Sequence, residues 1–572
     1  MKHIVFLFSI CILCASSFLH AQKVLRPEMI GRPTDHSIMV SIAFDDQVFI
    51  RIAHSKNAFN QDLKSPWVLG KKGEFTEMVL DNLSPSTEYY YHVEYVNDTV
   101  STDIQSQPTR MFRTAKKKGE SFTFVVQADP HLDVQSDTSL YALCLQNQLM
   151  DMPDLMFDLG DILMTDKLGN AQKVVTKDTI LYRCNLLRSF YERINHSVPL
   201  FIALGNHEGE AGWNLKNNGD NFAVESTNLR KKFFMNPFPN DFYTGDTINH
   251  PYVGLRHNYY EFTWGDAQFI VLDPYWYTNP KPDSLNGWRW TLGKTQYDWL
   301  KRILEQSKAS YKFVMAHQLV GGDPLGRGGI EFASLYEWGG NNLDGTRGFA
   351  TMRPGWYKPI KDLLKEHKAT IFFHGHDHFF AKQEMDCLIY QECPQPSHPN
   401  FSGVNSAKDY GYINGEILPN SGHMRIKVDP EKIQVEYVRA YLPKNETANR
   451  KNRDVAATYV IPLNKCYDSL TTGIPILWND SYINQFPFPN PMMESMIFPI
   501  TIVQPGEYSI LIYDLRGNVQ KRIAEHITMQ EGIYHVQWDG MNDMGNRLPT
   551  GSYSYVLMNG DEQLQQSIIH IQ

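Results

Sequence analysis

The sequence is short of cysteine, of basic charge and of long apolar runs, and each shortage excludes a class of protein. Its 572 residues include 7 cysteines, none of them in the histidine- and aspartate-rich motifs described below, so a closed thiolate zinc site is excluded. Acidic residues outnumber basic ones by 63 to 54, which argues against binding to nucleic acid or to anionic membranes. After residue 21, no stretch approaches the roughly 20 apolar residues of a membrane span, so we expect no transmembrane segment.

The first 21 residues have the pattern of a secretory signal peptide. Lys2 and His3 precede an apolar run over residues 4–13, and residues 15–19, which begin with Ala15-Ser16-Ser17, lead to Ala21. This order of charged, apolar and small residues is typical of a cleaved signal, so we expect cleavage after Ala21. We therefore expect a mature protein that is secreted or held at the cell surface.

Removing Cys11 and Cys14 with the signal leaves an odd number of cysteines. They are Cys144, Cys184, Cys387, Cys393 and Cys466. An odd number means at least one free thiol. Cys387 and Cys393 lie close together in a loop-rich stretch and are the best candidates for a disulfide in an oxidising compartment.

The spacing of apolar residues changes twice along the chain and predicts a multidomain protein. Over residues 22–116, alternating segments such as 88–95 are separated by polar turns, which is typical of a β-sandwich. Over residues 117–466, apolar strands alternate with helices, which predicts layered α/β structure. After a linker at 467–483, residues 484–572 are again β-rich and predict a second all-β sandwich.

Polar motifs directly follow apolar strands of the α/β region. The strands are predicted over residues 122–127, 155–159, 199–204, 312–316 and 370–373. The motifs that follow them are Asp129-Pro130-His131, Gly160-Asp161, Gly205-Asn206-His207-Glu208, His317 and Gly375-His376-Asp377-His378. Open sheets usually bind ligands at the carboxyl ends of their strands, so we expect these side chains to converge.

The residue types in these motifs suit metal ions. Carboxylate and amide oxygens and imidazole nitrogens are donors that iron, manganese and zinc accept. Two such ions a few ångströms apart can polarise a phosphoryl group and hold a hydroxide, provided that one carboxylate bridges them. Taken singly, Gly160-Asp161 fits a capped turn and His317 fits a hydrogen-bonded core histidine. Taken together at strand ends, the motifs predict a two-metal site.

From residue 122 to about residue 441, these motifs resemble those of the calcineurin-like metallophosphoesterase superfamily. The resemblance implies a four-layer α/β/β/α sandwich. The metal ligands that it implies are Asp129, His131 and His378 for the first ion, Asn206, His317 and His376 for the second, and Asp161 as the bridge. It also implies that His207 acts on the substrate as a general acid or a hydrogen-bond donor.

The order of the first two domains resembles that of purple acid phosphatases, in which a fibronectin type III domain precedes the catalytic domain. Residues 83–91 and 111–114 carry this resemblance. Purple acid phosphatases have glycine where this chain has His131, and an iron-binding tyrosine where it has Met164. That tyrosine gives the colour, so we expect a colourless protein with a different metal preference. No motif identifies an acidic partner for His207.

The last domain resembles secretion domains. Residues 538–555 are similar to the end of a flagellar-hook-cap-like immunoglobulin fold. Together with residues 489–491 and 512–517, they resemble the C-terminal sorting domain of the type IX secretion system of Bacteroidetes. The resemblance implies that machinery as a partner, and export to the outer surface or periplasm of a Gram-negative bacterium. The chain ends in Ile-His-Ile-Gln, without the basic residue common in such signals.

These observations favour a secreted two-metal phosphatase that hydrolyses small phosphate monoesters by attack of a metal-bridging hydroxide. A phosphodiesterase acting on nucleotides or lipid headgroups would share every ligand and stays open. A surface binding protein that kept the fold but lost catalysis also stays open.

Several further residues allow two interpretations. His374 either orients a metal ligand or fills space at a strand end. A group of aromatic residues would either stack against a nucleotide or sugar, or pack under a long loop. It consists of Trp276, Tyr277, Trp288 and Trp290. Another group lies in a glycine-rich insertion and holds either phosphate clamps or solvated charges, and consists of Arg327, Arg347 and Arg353.

Overall fold

The computed structural model describes residues 24–170, 174–283, 286–323, 325–463, 492, 495–502, 505–514, 516–530, 532–560 and 562–571. The expected signal peptide, the linker at 467–483, Cys466 and residues 489–491 lie outside the described residues. The chain divides into two compact units, the first made of residues up to Thr114 with Asn195–Pro199, and the second of the remainder. Within the described residues, no helix has both the length and the apolar character needed to span a bilayer.

The first unit is a β-sandwich. Its strands are β1 (Val24–Gly31), β2 (Ile38–Phe44), β3 (Val48–Ser55), β4 (Leu63–Lys64), β5 (Val68–Gly70), β6 (Phe75–Leu80), β7 (Glu88–Val96), β8 (Gln105–Ser106) and β9 (Arg110–Arg113). One sheet has the order β1-β2-β6; in the other, β3 pairs with β7, β4 and β5 extend β3, and β8 and β9 extend β7. Alternation along β7 buries Tyr89, Tyr91 and Val93 in the core between the sheets. The expected all-β domain is confirmed.

The α/β region of the second unit contains strands and helices in alternation. Its strands are β10 (Phe122–Gln127), β11 (Leu155–Asp158), β12 (Leu200–Ile202), β13 (Thr244–Gly245), β14 (Tyr260–Trp264), β15 (Ala267–Val271), β16 (Tyr311–Met315), β17 (Ile371–His374), β18 (Phe380–Met385), β19 (Leu388–Glu392), β20 (Glu416–Leu418), β21 (Gly422–Val428), β22 (Lys432–Arg439) and β23 (Val455–Pro462). Its helices are α1 (Thr138–Met150), α2 (Lys177–Tyr191), α3 (Phe222–Phe233), α4 (Gly293–Gln306), α5 (Tyr336–Gly339), α6 (Phe349–Met352), α7 (Ile360–Glu366) and α8 (Asn405–Asp409).

These strands form two sheets. In the first, with the order β12-β11-β10-β21-β22-β23, strands β10, β11 and β12 run parallel and β21 pairs antiparallel with β10. In the second, with the order β13-β14-β15-β16-β17-β19-β18-β20, strands β15, β16, β17 and β19 run parallel. The first three polar motifs therefore follow strands of the first sheet, and the last two follow strands of the second.

An aromatic core lies between the two sheets. Phe122, Phe124 and Val126 of β10 share it with Phe313 and Met315 of β16. Alternate residues of each strand point the opposite way, toward the helices. Because both faces of these strands are buried, their sequences are continuous apolar runs.

Helices cover the outer faces of the sheets. Helix α1 begins where the side chain of Asp137 accepts hydrogen bonds from the backbone N–H groups of Ser139 and Leu140. One turn on, Cys144 packs with Leu140 against the residue that follows β22. Helices α4 and α7 pack their apolar residues against the far side of the second sheet. This arrangement confirms the four-layer α/β/β/α sandwich.

The last part of the chain is a smaller sandwich. Its strands are β24 (Met496–Ile502), β25 (Gly506–Asp514), β26 (Val519–Met529), β27 (Gly532–Trp538), β28 (Gly551–Asn559) and β29 (Glu562–Ile571). A two-stranded sheet, β24-β27, and a four-stranded sheet, β26-β25-β28-β29, share one apolar core that includes Phe498 and Tyr555. The second flanking all-β domain is confirmed.

The expected disulfide between Cys387 and Cys393 is wrong. Cys393 is a free thiol that is fully buried in the core between the two sheets. Cys387 is disulfide-bonded, and the other described cysteines, Cys144 and Cys184, are free, so its partner lies outside the described residues. The spacing of the two cysteines along the chain does not reveal this. Cys393 directly follows β19, and its side chain points into the core.

Candidate metal centre

The carboxyl ends of five strands bring the polar motifs to one place. Strands β10, β11 and β12 lead to Asp129, Asp161 and Asn206, and strands β16 and β17 lead to His317 and His376. The two sheets face each other across the aromatic core, so loops that leave the same end of both sheets meet above that core.

Residues in these loops adopt an unusual backbone conformation. The φ angle is positive at Asp129 (58°), His131 (48°), Asp161 (53°), His376 (79°) and His378 (67°). Left-handed backbone is unfavourable for residues other than glycine and tends to occur at functional sites, where the surrounding structure enforces it. Here it turns each side chain sharply away from its strand and toward the others.

Glycine is required next to two of these side chains. A Cβ at residue 375 would lie against the carboxylate of Asp129, and a Cβ at residue 205 would lie against that of Asp161. Any other residue at Gly205 or Gly375 would displace a carboxylate, which explains why both motifs begin with glycine.

Asp129, His131 and His378 form the first cluster. The Oδ1 atom of Asp129 lies 3.6 Å from Nε2 of His131 and 3.5 Å from Nε2 of His378. Asp129 is fully buried and its other oxygen accepts a hydrogen bond from the backbone N–H of His376 at 2.8 Å. The side chain of His378 is 29% exposed, so this cluster reaches solvent.

Asp161, His317, His376 and Asn206 form the second cluster, which is more deeply buried. The Nε2 atom of His317 lies 3.1 Å from Oδ1 of Asn206, 3.2 Å from Nδ1 of His376 and 3.3 Å from Oδ2 of Asp161. Its Nδ1 atom is 2.9 Å from the carbonyl oxygen of Leu159, which can only accept, so Nδ1 carries a hydrogen. In neutral His317 the Nε2 lone pair then faces other electron-rich atoms.

The donor atoms of both clusters fit metal ions. Oδ1 of Asp129 and Nε2 of His131 are buried and have no hydrogen-bond partner among the described residues. Their separation of 3.6 Å is too long for a hydrogen bond, but suits two atoms that share an ion at about 2.0–2.2 Å from each. Nitrogen and oxygen donors without sulfur suit iron, manganese or zinc.

The electrostatics of the site also call for positive charge. Burial lowers the pKa of His317, but the carboxylates of Asp161 and Asp129 outweigh it and raise that pKa to about 9. Burial likewise lowers the pKa of His131, yet contacts with Asp129, Asp133 and Asp161 raise it to about 11. Excess negative charge in a closed space is balanced either by protons on these imidazoles or by cations.

His207 lies beside Asp161 and is held by an acidic residue. Its backbone N–H donates to Oδ1 of Asp161 at 2.9 Å, and its Nε2 atom lies 3.8 Å from Oδ2. Its Nδ1 atom lies 2.7 Å from Oδ1 of Asp166. Thr165, next to Asp166, donates its backbone N–H to the carbonyl oxygen of His207 at 3.0 Å. Asp166 is thus the acidic partner that no sequence motif identified.

Comparisons with known proteins agree with this geometry. The family described as calcineurin-like phosphoesterase matches residues 122–380. The fold is similar to a solved structure of PhoD, with 15% identity over 77% of this chain and 90% of that chain and a TM-score of 0.55. It is also similar to the purple acid phosphatase PPD1 from yellow lupin (Lupinus luteus) seeds, with 14% identity, coverage of 76% and 74%, and a TM-score of 0.51. A comparison with curated proteins finds no match.

The chain carries a calcineurin-like metallophosphoesterase domain. This domain belongs to the metal-dependent phosphoester hydrolases, and the family implies a pair of metal ions. Asp129, His131 and His378 are one of its two groups of candidate ligands, and Asp161, His317 and His376 are the other. The two solved structures, at these identities, show a shared fold.

A buried glutamate fixes two loops of the metallophosphoesterase domain. Glu208 accepts hydrogen bonds from the backbone N–H of Ile162 at 2.7 Å, of Leu163 at 3.1 Å and of Asp161 at 3.1 Å, and from that of Gly205. Burial and the charge of Asp161 raise the pKa of Glu208 to about 7. It holds the loops after β11 and β12 together, a role that its place in the motif did not reveal.

Further residues support the ligand loops from behind. Asp133 lies 3.5 Å from Nδ1 of His131. Glu392 accepts hydrogen bonds from the backbone N–H groups of Asp377 and His378 at 3.2 Å, and its other oxygen lies 2.8 Å from Nδ1 of His374. Through Glu392, His374 contacts the loop that carries two ligands, which favours the orienting role over space filling.

The structure decides between the two interpretations for several of the aromatic and arginine residues. The indoles of Trp276, Trp288 and Trp290 are at most 7% exposed and pack in apolar clusters, which favours packing over stacking of a ligand. Arg353 pairs with buried Glu337, so it is neither solvated nor directed at the site. Met164 is buried, at the position where purple acid phosphatases have tyrosine.

Proposed function

We propose that this chain is a dinuclear-metal phosphoesterase that hydrolyses phosphate monoesters. The observation that carries the proposal is the position of Asp161. Its Oδ2 atom lies 3.7 Å from Nε2 of His131 in the first cluster and 3.3 Å from Nε2 of His317 in the second. A carboxylate shared by two sets of ligands is what two closely spaced ions require.

The residues that would hold the ions divide into two sets around that carboxylate. The first set is Asp129, His131 and His378, the second is Asn206, His317 and His376, and Asp161 belongs to both. Bound ions would supply Lewis acidity toward the phosphoryl oxygens and would activate water as the nucleophile. The identity of the metals, among iron, manganese and zinc, belongs to the same proposal.

His207 would move the proton that the leaving group needs. With Nδ1–H directed at Asp166, Nε2 is the atom that faces the shared carboxylate and the substrate. The carboxylate of Asp166 holds the ring in this orientation, so that a proton on Nε2 would pass to the ester oxygen as the P–O bond breaks. The leaving group departs as a neutral alcohol, and solvent restores the proton to His207.

A matched pair of substrates tests this proposal. Metal-loaded protein would be assayed on nitrophenyl phosphate, on bis(nitrophenyl) phosphate and on an alkyl phosphate, with His207→Gln as the comparison. We expect hydrolysis of both nitrophenyl esters by the wild type, faster for the monoester, and a greater loss in the variant for alkyl phosphates, whose leaving groups need the proton. Faster turnover of the diester would replace the proposal with a phosphodiesterase.

A non-catalytic surface protein is the remaining alternative. Stoichiometric metal with no hydrolysis of any phosphoester would establish it and would overturn the enzyme proposal. The closeness of His207 to Asp161, at 3.8 Å, favours the enzyme, because a protein that only binds has no need of a proton donor there.

We also propose that the protein is exported and reaches the cell surface through the type IX machinery, and that its first sandwich is of the fibronectin type III class. The signal pattern of residues 1–21 and the separate core of the last sandwich support export and sorting. Deletion of residues 484–572 tests the sorting role, since the truncated protein should stay in the periplasm. Arrival of the truncated enzyme at the surface would refute it.

A further inference from the structure

A glycine-rich loop places Arg327 next to the second ligand cluster. Its Nη1 atom donates to the carbonyl oxygen of His376 at 2.8 Å and to Oδ1 of Asp377 at 2.9 Å. Its Cζ atom lies 4.2 Å from the centre of the Tyr410 ring. These contacts hold the guanidinium in one plane, against the loop that carries His376 and His378.

Asp377, the carboxylate that accepts from Arg327, is buried. Asp377 is 2% exposed, and its Oδ2 atom accepts hydrogen bonds from the backbone N–H of Gly328 at 2.8 Å and from the hydroxyl of Tyr412 at 2.9 Å. Asp377 therefore anchors both the side chain of Arg327 and the backbone one residue later. A salt bridge built in this way fixes the position of the guanidinium, and does not leave it as a solvated loop charge.

The described residues engage the guanidinium through Nη1. Within the described part of the chain, Nε and Nη2 of Arg327 have no hydrogen-bond partner, and the side chain is 24% exposed. Three N–H groups remain on a fixed plane beside the cluster, which is the geometry that guanidinium uses for phosphate.

We propose that Arg327 is a substrate-binding residue that donates its remaining N–H groups to the oxygens of a terminal phosphoryl group held at the two ligand clusters. The inference rests on the proposed phosphoesterase function and assigns to one residue the preference for monoesters. A terminal phosphate carries two negative charges and a diester carries one, so a fixed guanidinium stabilises the bound monoester more. Arg327 thus selects monoesters.

The test compares three substitutions in metal-loaded full-length protein. Arg327→Met removes the donors, Arg327→Lys keeps the charge that pairs with Asp377 but loses the planar donors, and Arg353→Lys is the matched control from the same insertion. The guanidinium of Arg353 is taken up by Glu337 and by the carbonyl oxygens of Trp288 and Trp290. Metal content and thermal midpoint are measured for each protein.

We expect both Arg327 variants to raise KM for nitrophenyl phosphate and the inhibition constant of inorganic phosphate together, by about 10- to 100-fold for Arg327→Met, while kcat changes little. The diester should lose less. Arg353→Lys should leave phosphate inhibition unchanged. Folded, metal-loaded Arg327 variants with unchanged phosphate inhibition would overturn the proposal, and so would an equal loss for monoester and diester.

Calorimetric titration with inorganic phosphate separates this inference from the proposed function. If the wild type binds phosphate but hydrolyses nothing, the function fails while the Arg327 comparison still reads out anion binding. If the wild type hydrolyses esters but the Arg327 variants bind phosphate as tightly as the wild type, the proposed function stands and the substrate-binding role of Arg327 is wrong.

Discussion

The two ligand clusters differ in how far they are removed from water. In the first cluster the side chain of His378 is 29% exposed, and the residue behind His131, Asp133, is 32% exposed. In the second cluster Asp161 and His317 are at most 1% exposed, and His317 is oriented by a backbone carbonyl. His131 of the first cluster is thus contacted by a partly exposed side chain, whereas His317 of the second is held by a buried backbone carbonyl.

This difference predicts unequal hold on the two ions. A ligand whose partner is solvated can rotate away or bind water, whereas a ligand fixed by buried backbone cannot. We therefore expect the second ion to be retained and the first to exchange. The carboxylate of Asp161, which lies within 3.7 Å of a histidine of each cluster, couples the two.

Replacing the shared carboxylate should have the largest effect. Asp161→Asn removes the charge that both clusters use, so we expect activity to fall by more than about 100-fold and metal content to fall below that of any variant confined to one cluster. Elemental analysis together with a monoester assay measures both. A variant that keeps its metal and at least a tenth of the activity would show that Asp161 serves one cluster only.

Metal removal should distinguish the clusters directly. We expect a chelator to strip the protein in two phases, with the fast phase belonging to the exposed cluster. His378→Ala should abolish the fast phase and leave the slow one, and His317→Ala should do the reverse. Stripping in a single phase, or the same phase lost in both variants, would contradict the unequal burial argument.

Two acidic residues behind histidines should have opposite signatures. Asp166→Asn should lower kcat about 10- to 100-fold with metal content intact, because His207 loses its orienting partner. Asp133→Asn should instead weaken metal binding at the exposed cluster, by about 10-fold or less, since Asp133 only contacts a ligand from a half-exposed position. Kinetics at saturating metal separates them, because added metal should rescue the second variant alone.

Acid stability away from the clusters should change least, and it provides a reference for acid-induced metal loss. The side chain of Asp151 is buried and pairs with His423, Arg425 and Arg453 at 2.7 Å each. Burial raises its pKa, but His423 and Arg425 outweigh it and lower the pKa to about 2. The unfolded state then binds more protons, so this contribution, about 2 kcal/mol, is complete above about pH 4 and is lost as pH falls toward 2.

Asp151→Asn should remove that contribution at neutral pH and flatten the stability curve between about pH 4 and pH 2. Chemical unfolding of the metal-free protein at several pH values measures it. An unchanged slope would mean that Asp151 is already paired in the unfolded chain. The dependence of stability on pH in the metal-free protein provides the reference. Any additional loss of stability of the metal-loaded enzyme in acid is then due to protonation of the imidazole ligands.

The strands and the ligand types were predictable from sequence because both depend on local pattern. The apolar run at residues 122–127 predicts a buried strand, and these residues form β10. The motif that begins at Gly375 was also recognisable, and the structure shows why glycine is needed there: a Cβ would meet the carboxylate of Asp129. The α/β architecture followed from the alternation of strands and helices. The convergence of five motifs followed from a general property of parallel strands.

What could not be predicted depends on contacts between distant parts of the chain. Asp166 lies in a short turn with no recurrent pattern, and only the fold brings it to His207, 41 residues later. Cys393 looked like a partner for Cys387 until β19 directed it into the core. Strands β14 and β15 and helix α4 were not predicted, because no site motif follows them.

The ligands come from loops that follow strands of two different sheets, and the first and last lie far apart in the sequence. Each set draws on loops from both sheets, so it is complete only in the folded domain, and an unfolded chain offers no preformed site for the ions. Metal binding must therefore follow tertiary folding. Ions that bind only the folded domain raise its free energy of unfolding. Any route that carries this chain unfolded across a barrier delivers it metal-free, and the metals it uses are those of the compartment where it folds.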